Sequence, residues 1–295
     1  MERIFSTIGK IVVGLLALWG AWSLIQPLLR EAPVELKPTA AVDPAPIQAP
    51  DQPNIDQPVI DQPIVARVVR VIDGDTVRLA NGREVRMTGI QAPKLPLGRE
   101  GFRKWPLADE AKRHLEILVS DQQVRIVPGE NPQDRWGRIL AQIYNEQDVW
   151  LQSAMLEAGL ARVYTFADND RHADALYAAE AKARAANKGI WHLDYYAVLT
   201  PLQAVGRADS FQLVEGRIVD LANVRGRVYL NFGEDYKTDF TISIASPVRR
   251  AFKKAGIDLM GLQGSRVRVR GWLRDWNGPM IELTHPAQLE LLEPS

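Results

Sequence analysis

The pattern of apolar and polar positions begins with one long apolar segment. Residues 11–29 contain no charged side chain and are bounded by Lys10 and Arg30. At a rise of about 1.5 Å per residue, a helix of this length just spans a hydrocarbon core of about 30 Å. The segment therefore predicts a single-pass membrane anchor over residues 1–30. A cleaved signal peptide is the alternative, but no small-x-small cleavage site follows the apolar segment.

Basic residues near the apolar segment set its predicted orientation. Arg3, Lys10 and the amino terminus favour a cytoplasmic N-terminus, whereas Arg30 and Lys37 count against it. The balance predicts an inner-membrane protein, with every later part of the chain on the periplasmic side.

Residues 31–64 have the composition of a spacer. Eight of the 19 prolines fall here, and Asp-Gln-Pro recurs from Asp51, Asp56 and Asp61. Proline at this density favours extended polyproline II structure, with a reach of about 3.1 Å per residue. We interpret the segment as an acidic linker. The alternative is a proline-rich ligand for a partner protein, but the segment lacks a basic PxxP context.

Residues 65–192 alternate between strand-like and helix-like patterns. Asn81-Gly82 is the strongest short signal for a hairpin turn, and Asp170 is the candidate N-cap of the last helix. Five strands with an inserted helix predict a five-stranded oligonucleotide-binding (OB) barrel. The predicted strands are 65–73, 76–80, 84–88, 124–127 and 139–144, and the predicted helices are 107–119, 151–158 and 172–186.

After a connector at 193–204, residues 205–295 form a second strand-rich segment. A helix at 247–255 is predicted between its third and fourth strands. This pattern predicts a second, small OB-like β-barrel. The fold class is therefore mainly β with α, or α+β. The predicted strands are 213–221, 227–232, 239–244, 266–273 and 280–283.

One predicted strand carries a candidate nucleic-acid surface. Arg266, Arg268 and Arg270 alternate with valines, so the three arginines share one face while the valines point to the core. Tyr229 and Trp272 supply aromatic rings nearby. Cations interleaved with aromatic rings are what single-strand binding requires. A solvated strand face over a filled barrel is the alternative.

Charge and cysteine content exclude several classes of protein. Basic and acidic residues balance at 36 each, with 19 against 17 in residues 65–192 and 13 against 11 in residues 205–295. This small excess is not typical of proteins that coat DNA, so anion binding must come from local clusters. The absence of cysteine excludes disulfide scaffolds, cysteine-ligated metal sites and thiol nucleophiles. The four histidines lack metal-ligand spacing and are predicted to lie at the surface.

Five segments of residues 65–192 together resemble the staphylococcal nuclease, or thermonuclease-like, family. They occur in the order and spacing of that family. The resemblance implies one Ca²⁺ held by two aspartates, a backbone carbonyl and, through water, a glutamate that is the proposed general base. It also implies two arginines that clamp the phosphate. The five segments are 71–77, 85–93, 134–138, 158–163 and 187–191.

The resemblance assigns roles to individual residues. Asp75 matches the first metal ligand, and Arg86 and Arg138 match the phosphate clamp. Bidentate guanidinium groups suit phosphate oxygens, which makes the two arginines chemically reasonable. Trp136 is a candidate for stacking on a base, with a packed aromatic as the alternative.

Two positions depart from the family pattern. Gln91 stands where the second metal-binding aspartate is expected, and Lys94 stands at the general-base position. An amide offers a neutral oxygen, and an ammonium cannot replace a carboxylate base. Because the carboxylates at the site fall from three to one, Ca²⁺ affinity is expected to drop sharply.

These residues favour a membrane-anchored protein that binds nucleic acid, another polyanion or an envelope protein partner, with hydrolysis impaired or lost. In this interpretation Lys94 supplies the charge of the missing metal beside Asp75. One alternative is an active Ca²⁺-dependent, sugar-nonspecific endonuclease that uses a surrogate carboxylate such as Glu100. A second alternative is a structural subunit of a membrane complex.

Overall fold

The computed structural model describes residues 62–119 and 122–292, all within one unit of the chain. The predicted anchor at 1–30 and all but the last three residues of the predicted linker at 31–64 lie outside these ranges. Within them, no helix combines the length and the apolar character needed to cross a membrane.

The first half of the described chain contains seven strands and three α-helices. Strands β1, β2, β3, β6 and β5 pair in that order into a closed barrel, which confirms the first predicted fold. The elements are β1 (Ile64–Asp73), β2 (Thr76–Leu79), β3 (Glu84–Met87), β4 (Ile90–Gln91), α1 (Ala108–Val119), β5 (Gln123–Gln133), β6 (Ile139–Tyr144), α2 (Leu151–Glu157), β7 (Arg162–Val163) and α3 (Ala173–Ala185).

Two features of this half differ from the sequence pattern. Strands β4 and β7 form a separate ladder in which Gln91 pairs with Arg162. Strands of two residues carry no periodicity, so the pattern gave no sign of them. Asp170 does not cap α3, because His172 precedes the helix and makes no side-chain cap hydrogen bond.

The turn between β1 and β2 is held tightly against the rest of the barrel. At Gly74, an added Cβ would lie 2.7 Å from the Cβ atoms of both Ala92 and Ala111. Only a residue without a side chain permits this approach. The glycine therefore fixes its two neighbours, Asp73 and Asp75, beside α1 and the segment after β4.

The second half is built on one mixed eight-stranded sheet. Its order is β10-β11-β12-β14-β13-β9-β8, with β15 pairing β13. The helix α4 lies between β12 and β13, as predicted. The elements are β8 (Val198–Leu199), β9 (Ser210–Arg217), β10 (Asp220–Val224), β11 (Arg227–Asn231), β12 (Thr241–Ile244), α4 (Ser246–Lys254), β13 (Arg266–Asp275), β14 (Pro279–Leu283) and β15 (Leu289–Leu292).

The prediction of a second barrel is confirmed only in part. The pairings form a sheet of eight strands rather than a closed ring of five. However, β9 ends at Arg217 and β10 begins at Asp220, so one bent segment pairs β13 with its first part and β11 with its second. Strands β9 and β10 lie on opposite sides of the sheet but are joined by only two residues. The sheet therefore curls round to bring them together. The domain boundaries at 65–192, 193–204 and 205–295 stay predictions.

Arg270, on the arginine face of β13, is buried, which corrects its assignment to nucleic acid. Arg270 is 1% exposed and pairs with Glu180 of α3 at 2.8 Å and with Glu290 of β15 at 2.7 Å. It also donates to the Val163 carbonyl and lies over the Tyr177 ring. Arg270 therefore joins the sheet to the barrel and cannot meet a phosphate.

The other two arginines of this face are also neutralised. Arg266 pairs with Glu215 at 2.6 Å, and Arg268 pairs with Glu215 at 2.6 Å and Glu290 at 3.4 Å. Both glutamates stand on the strands that flank β13, so cross-strand pairs cancel the charge. The predicted alternation itself is confirmed, because Val267 and Val269 are buried in the core.

His285 is buried, which corrects its predicted place at the surface. Its Nε2 lies 2.8 Å from Thr165 Oγ1 of the barrel, and its Nδ1 lies 2.9 Å from Thr284 Oγ1. Burial lowers the pKa of His285 to about 4. The folded chain therefore holds a neutral imidazole between the two halves.

We expect His285 to make stability depend on pH. Between about pH 4 and pH 6.5 the unfolded chain binds the additional proton, so stability rises with pH in this window. The free energy of unfolding should fall by about 2 kcal/mol from pH 7 to pH 5. Urea unfolding at both values should show this loss, and His285→Gln, which does not titrate, should remove it. An equal pH slope in both proteins would contradict the assignment.

Candidate functional site

Asp75 is the centre of the site that the sequence predicted. Its side chain is fully buried in the turn between β1 and β2. The Ala92 amide donates to Oδ2 at 2.7 Å, and the Thr76 hydroxyl donates to Oδ1 at 3.2 Å. A buried carboxylate of this kind needs cationic partners as well, because desolvation disfavours its charge.

Lys94 is the main cationic partner. Its ammonium nitrogen lies 2.7 Å from both carboxylate oxygens of Asp75 and 3.2 Å from Oδ2 of Asp73. The predicted replacement of a metal charge by Lys94 therefore has a matching geometry. The ammonium sits between two carboxylates, which is where a cation would be bound.

The two carboxylates respond oppositely to this environment. Burial alone would raise the pKa of Asp75, but the Arg86 guanidinium and the Lys94 ammonium hold it well below its usual value. Burial, and next the neighbouring Asp75 carboxylate, raise the pKa of Asp73. The pKa values of the two carboxyl groups therefore shift in opposite directions.

Arg86 is fixed on the barrel wall by several acceptors. Its Nη1 lies 3.2 Å from Asp75 Oδ1 and donates to the Met87 carbonyl at 2.7 Å. It also donates to the Asp75 carbonyl at 3.3 Å, and Nη2 donates to the Ile90 carbonyl at 2.8 Å. A guanidinium has five donor hydrogens. In the part of the chain that the structure describes, these contacts leave Nε–H and one Nη2–H without a partner.

Arg138 lies on the same face of the barrel as Arg86. Strands β3 and β6 are parallel with Arg86 opposite Leu140, and Arg138 precedes Leu140 by two residues. The two Cα atoms are therefore expected within roughly 8 Å, given strand spacings of about 4.8 Å and 3.3 Å per residue. Asp134 holds the Arg138 guanidinium through Nε and Nη2, both at 2.7 Å.

Trp136 lies at the tip of the turn between β5 and β6. Its ring is exposed and has the Arg135 guanidinium 4.2 Å and the Arg138 guanidinium 5.3 Å from its centre. The ring is not packed in the core, so its candidate role in stacking on a base is geometrically open. Cation–π contacts of this kind also help to hold Arg138 in place.

Gln91 does not contribute to the Asp75 cluster. Its amide oxygen accepts from Arg162 Nε at 3.0 Å and Nη2 at 2.7 Å. Arg162 is buried, donates to the Phe211 carbonyl of β9 at 3.1 Å, and has its pKa lowered by burial to about 10. Gln91 therefore connects the site to the second sheet through Arg162, a residue to which the sequence analysis gave no role.

The side chains at the predicted metal position do not fit a Ca²⁺ ion. Both oxygens of Asp75 already contact an ammonium, and the Gln91 oxygen is taken by Arg162. Across 62–119 and 122–292, no group of three or more His, Cys, Asp or Glu side chains is arranged to hold a metal. The geometry is that of an ion-paired cluster.

The remaining candidates are Glu100, Tyr229 and Trp272. Glu100 is exposed in the segment between β4 and α1. Tyr229 is half-buried on β11 of the second sheet. Trp272 is exposed on β13, and its indole nitrogen donates to the Tyr164 hydroxyl of the barrel half at 3.3 Å.

Comparison with known proteins identifies the family of the barrel half. A family model described as staphylococcal nuclease homologue matches residues 84–193. A thermonuclease of Staphylococcus hyicus is 30% identical over 136 residues, which cover 42% of this chain and 74% of that protein. The chain belongs to the staphylococcal nuclease family. The predicted family resemblance is thereby confirmed.

Other relatives cover a similar part of this family member. A protein named an uncharacterized endonuclease from Escherichia coli is 30% identical over 128 residues, covering 42% of this chain and 75% of its own length. A thermonuclease of Staphylococcus intermedius is 27% identical over 127 residues, covering 42% and 74% respectively. Arg86, Gln91, Lys94 and Arg138 lie inside the family match, and Asp75 lies before it.

Proposed function

We propose that this staphylococcal nuclease family member binds the phosphodiester groups of nucleic acid without metal-dependent hydrolysis. The observation that carries the proposal is the Lys94 ammonium, 2.7 Å from both oxygens of Asp75. The Lys94 ammonium supplies positive charge to the site. It supplies neither the coordination sites of a metal ion nor a basic group that activates water.

The two clamp arginines support phosphate binding. The Arg86 Nε–H has no acceptor in the described part of the chain, while Nη1 and Nη2 are held by backbone carbonyls. Arg138 uses its Nε and Nη2 on Asp134 and has no acceptor for Nη1 in the described ranges. Each guanidinium therefore offers donors to phosphate oxygens while its other donors hold it in position.

Hydrolysis is the second candidate function, because the relatives are named thermonucleases and an endonuclease. It requires Ca²⁺ to displace the Lys94 ammonium from Asp75, and a carboxylate such as Glu100 to act as the surrogate. Ca²⁺ is a reasonable cofactor for the family, and this second candidate is where it would act.

The N-terminal sequence supports a proposal for location. The uncharged segment at 11–29 would anchor the protein in the inner membrane, with the nuclease-family domain on the periplasmic side. Such an anchor would also suit an envelope protein partner or a role as a structural subunit of a membrane complex.

We expect oligonucleotide binding that needs Arg138 and no metal. Fluorescence anisotropy with labelled DNA in chelator should show binding by the full chain. Arg138→Ala should weaken it by roughly 10- to 100-fold, since a hydrogen bond to a charged group contributes about 1.5–3 kcal/mol. Arg138→Lys should fall between, because it keeps the charge without the fork.

Arg250→Ala is the matched control, since Arg250 is an exposed arginine of helix α4 in the second half of the chain. It should bind like the unchanged protein. Cleavage of the same DNA should be equal with Ca²⁺ and with chelator. Ca²⁺-dependent cutting that Arg138→Ala abolishes would instead establish the second candidate function.

A further inference from the structure

A group of aromatic side chains lies where the barrel meets the second sheet. Arg162 is buried at its centre, with its guanidinium carbon 5.7 Å from the Trp105 ring, 5.8 Å from Tyr196 and 4.5 Å from Phe211. Tyr196 and Phe211 are buried and form part of the small core between the halves. Further rings surround them, and these are more open to solvent.

We call these outer rings the aromatic rim: Phe102, Trp105, Tyr164, Phe166, Tyr195 and Trp272. Ring centres are 6.4 Å apart for Phe102 and Trp105, and 6.1 Å apart for Trp105 and Tyr195. Tyr164 lies 5.0 Å from Phe166 and 4.7 Å from Phe211, and it accepts from the Trp272 indole at 3.3 Å. The rim therefore runs from the barrel half onto β13 through contacts with shared buried neighbours.

Several rim residues are more exposed than interface packing requires. Phe166 is 54%, Tyr195 48% and Trp272 39% exposed. Large aromatic rings grouped at a solvent boundary mark a surface that contacts another molecule. The buried rings already supply the packing between the halves, so the exposed faces remain available.

Two rim residues, Phe102 and Trp105, lie on a basic segment that begins at Lys94 of the phosphate site. The Trp105 amide donates to the Lys94 carbonyl at 3.0 Å. The pair of rings formed by Phe102 and Trp105 therefore lies next to the backbone of the ion-paired cluster. Residues 94–107 carry four cations, Lys94, Arg99, Arg103 and Lys104, against one acid, Glu100. The Arg99 guanidinium lies 3.7 Å from the centre of the Phe102 ring. The two rings of this segment, Phe102 and Trp105, therefore lie among its cations.

We propose that the aromatic rim stacks on the bases of single-stranded nucleic acid whose backbone is held at the Arg86 and Arg138 site. The proposal rests on the proposed phosphate-binding function and names its substrate class. Stacking is independent of sequence, because every base has a π-face, and it needs bases that are not already paired and stacked in a duplex. A duplex offers the same phosphates without these faces.

The test compares three ligands on the full chain in detergent and chelator. They are a labelled single-stranded DNA 12-mer, an abasic strand with the same number of phosphates, and a duplex. We expect the single strand to bind at least tenfold more tightly than the other two. Tyr195→Ala and Trp272→Ala should each weaken single-strand binding by about tenfold, the effect of losing one stacked ring, and leave abasic binding unchanged.

Conservative variants keep the test informative about stacking rather than folding. Tyr195→Phe and Trp272→Phe retain a ring and should retain most of the affinity. Tyr236→Ala removes an exposed tyrosine with a lysine beside its ring, outside the rim, and should have no effect.

The outcomes separate the two proposals. Equal binding of single and abasic strands, with no change in Tyr195→Ala and Trp272→Ala, would overturn the aromatic rim. If Arg138→Ala still weakened both ligands, the proposed phosphate-binding function would stand. Absence of binding to every ligand would overturn both.

Discussion

Replacing Arg270 by alanine is expected to destabilise the folded chain by about 3–5 kcal/mol, the usual effect of removing one partner of a buried ion pair. Arg270 and Glu180 are 1% and 0% exposed. Burial would lower the pKa of Arg270, but the Glu180 carboxylate raises it above its usual value. Without Arg270, Glu180 still pairs with Arg184 and accepts from the Val163 amide. The Val163 carbonyl, however, loses its hydrogen-bond donor, and the Tyr177 ring loses its cation–π partner.

Arg266→Ala is the matched control for this prediction. Arg266 stands on the same strand and face, but it is exposed and pairs only with Glu215 in the described ranges. Exposed pairs contribute about 0–1 kcal/mol, so urea unfolding should barely change. If the two variants unfolded at similar urea concentrations, Arg270 would not be an anchor between the two halves.

Strand β13 shows what a sequence pattern can and cannot predict. The alternation correctly predicted that Arg266, Arg268 and Arg270 share a face and that the valines between them enter the core. It could not predict what covers that face. Glu180 lies 90 residues from Arg270 in the chain, and alternation carries no information about such a distant partner. The same face was therefore assigned to nucleic acid.

The ion-paired site likewise combines contacts that the sequence predicts with one that it does not. Asp75, Arg86 and Lys94 follow one another within 20 residues, and the family resemblance was enough to bring them together. Gln91 was expected beside them as a weak metal ligand. It instead binds Arg162, 71 residues away, through the short ladder of β4 and β7. Two-residue strands have no recognisable pattern, so this connection required the folded structure.

The second sheet was predicted in its main strands but not in its closure. The predicted strand at 213–221 is in fact β9 and β10, separated by Ile218 and Val219. Val198–Leu199 and Leu289–Leu292 add two strands beyond the predicted five. These two strands are defined by their pairing with β9 and β13, and the β-propensity of a segment does not determine its pairing partner.

Replacing Lys94 by glutamate is expected to make the stability of the chain depend on Ca²⁺. The change removes the ammonium that lies 2.7 Å from Asp75 and 3.2 Å from Asp73 and places a third carboxylate among them. Without metal, the loss of the cation should cost about 3–5 kcal/mol. Three carboxylates favour Ca²⁺ because affinity follows the charge of the ligands, so the ion should restore about 2.7 kcal/mol at 100 times its dissociation constant.

Thermal unfolding with and without Ca²⁺ measures this effect, with Lys94→Met as the matched control. Lys94→Met also loses the ammonium but leaves two carboxylates, so it should be destabilised with little response to Ca²⁺. The unchanged protein should not respond, because Lys94 already occupies the cation position between Asp73 and Asp75. A Ca²⁺-dependent rise in the melting temperature of the unchanged protein would show that the ion displaces Lys94. That result would favour hydrolysis over metal-free binding, because displacement of the ammonium from Asp75 is the step that a Ca²⁺-dependent mechanism requires.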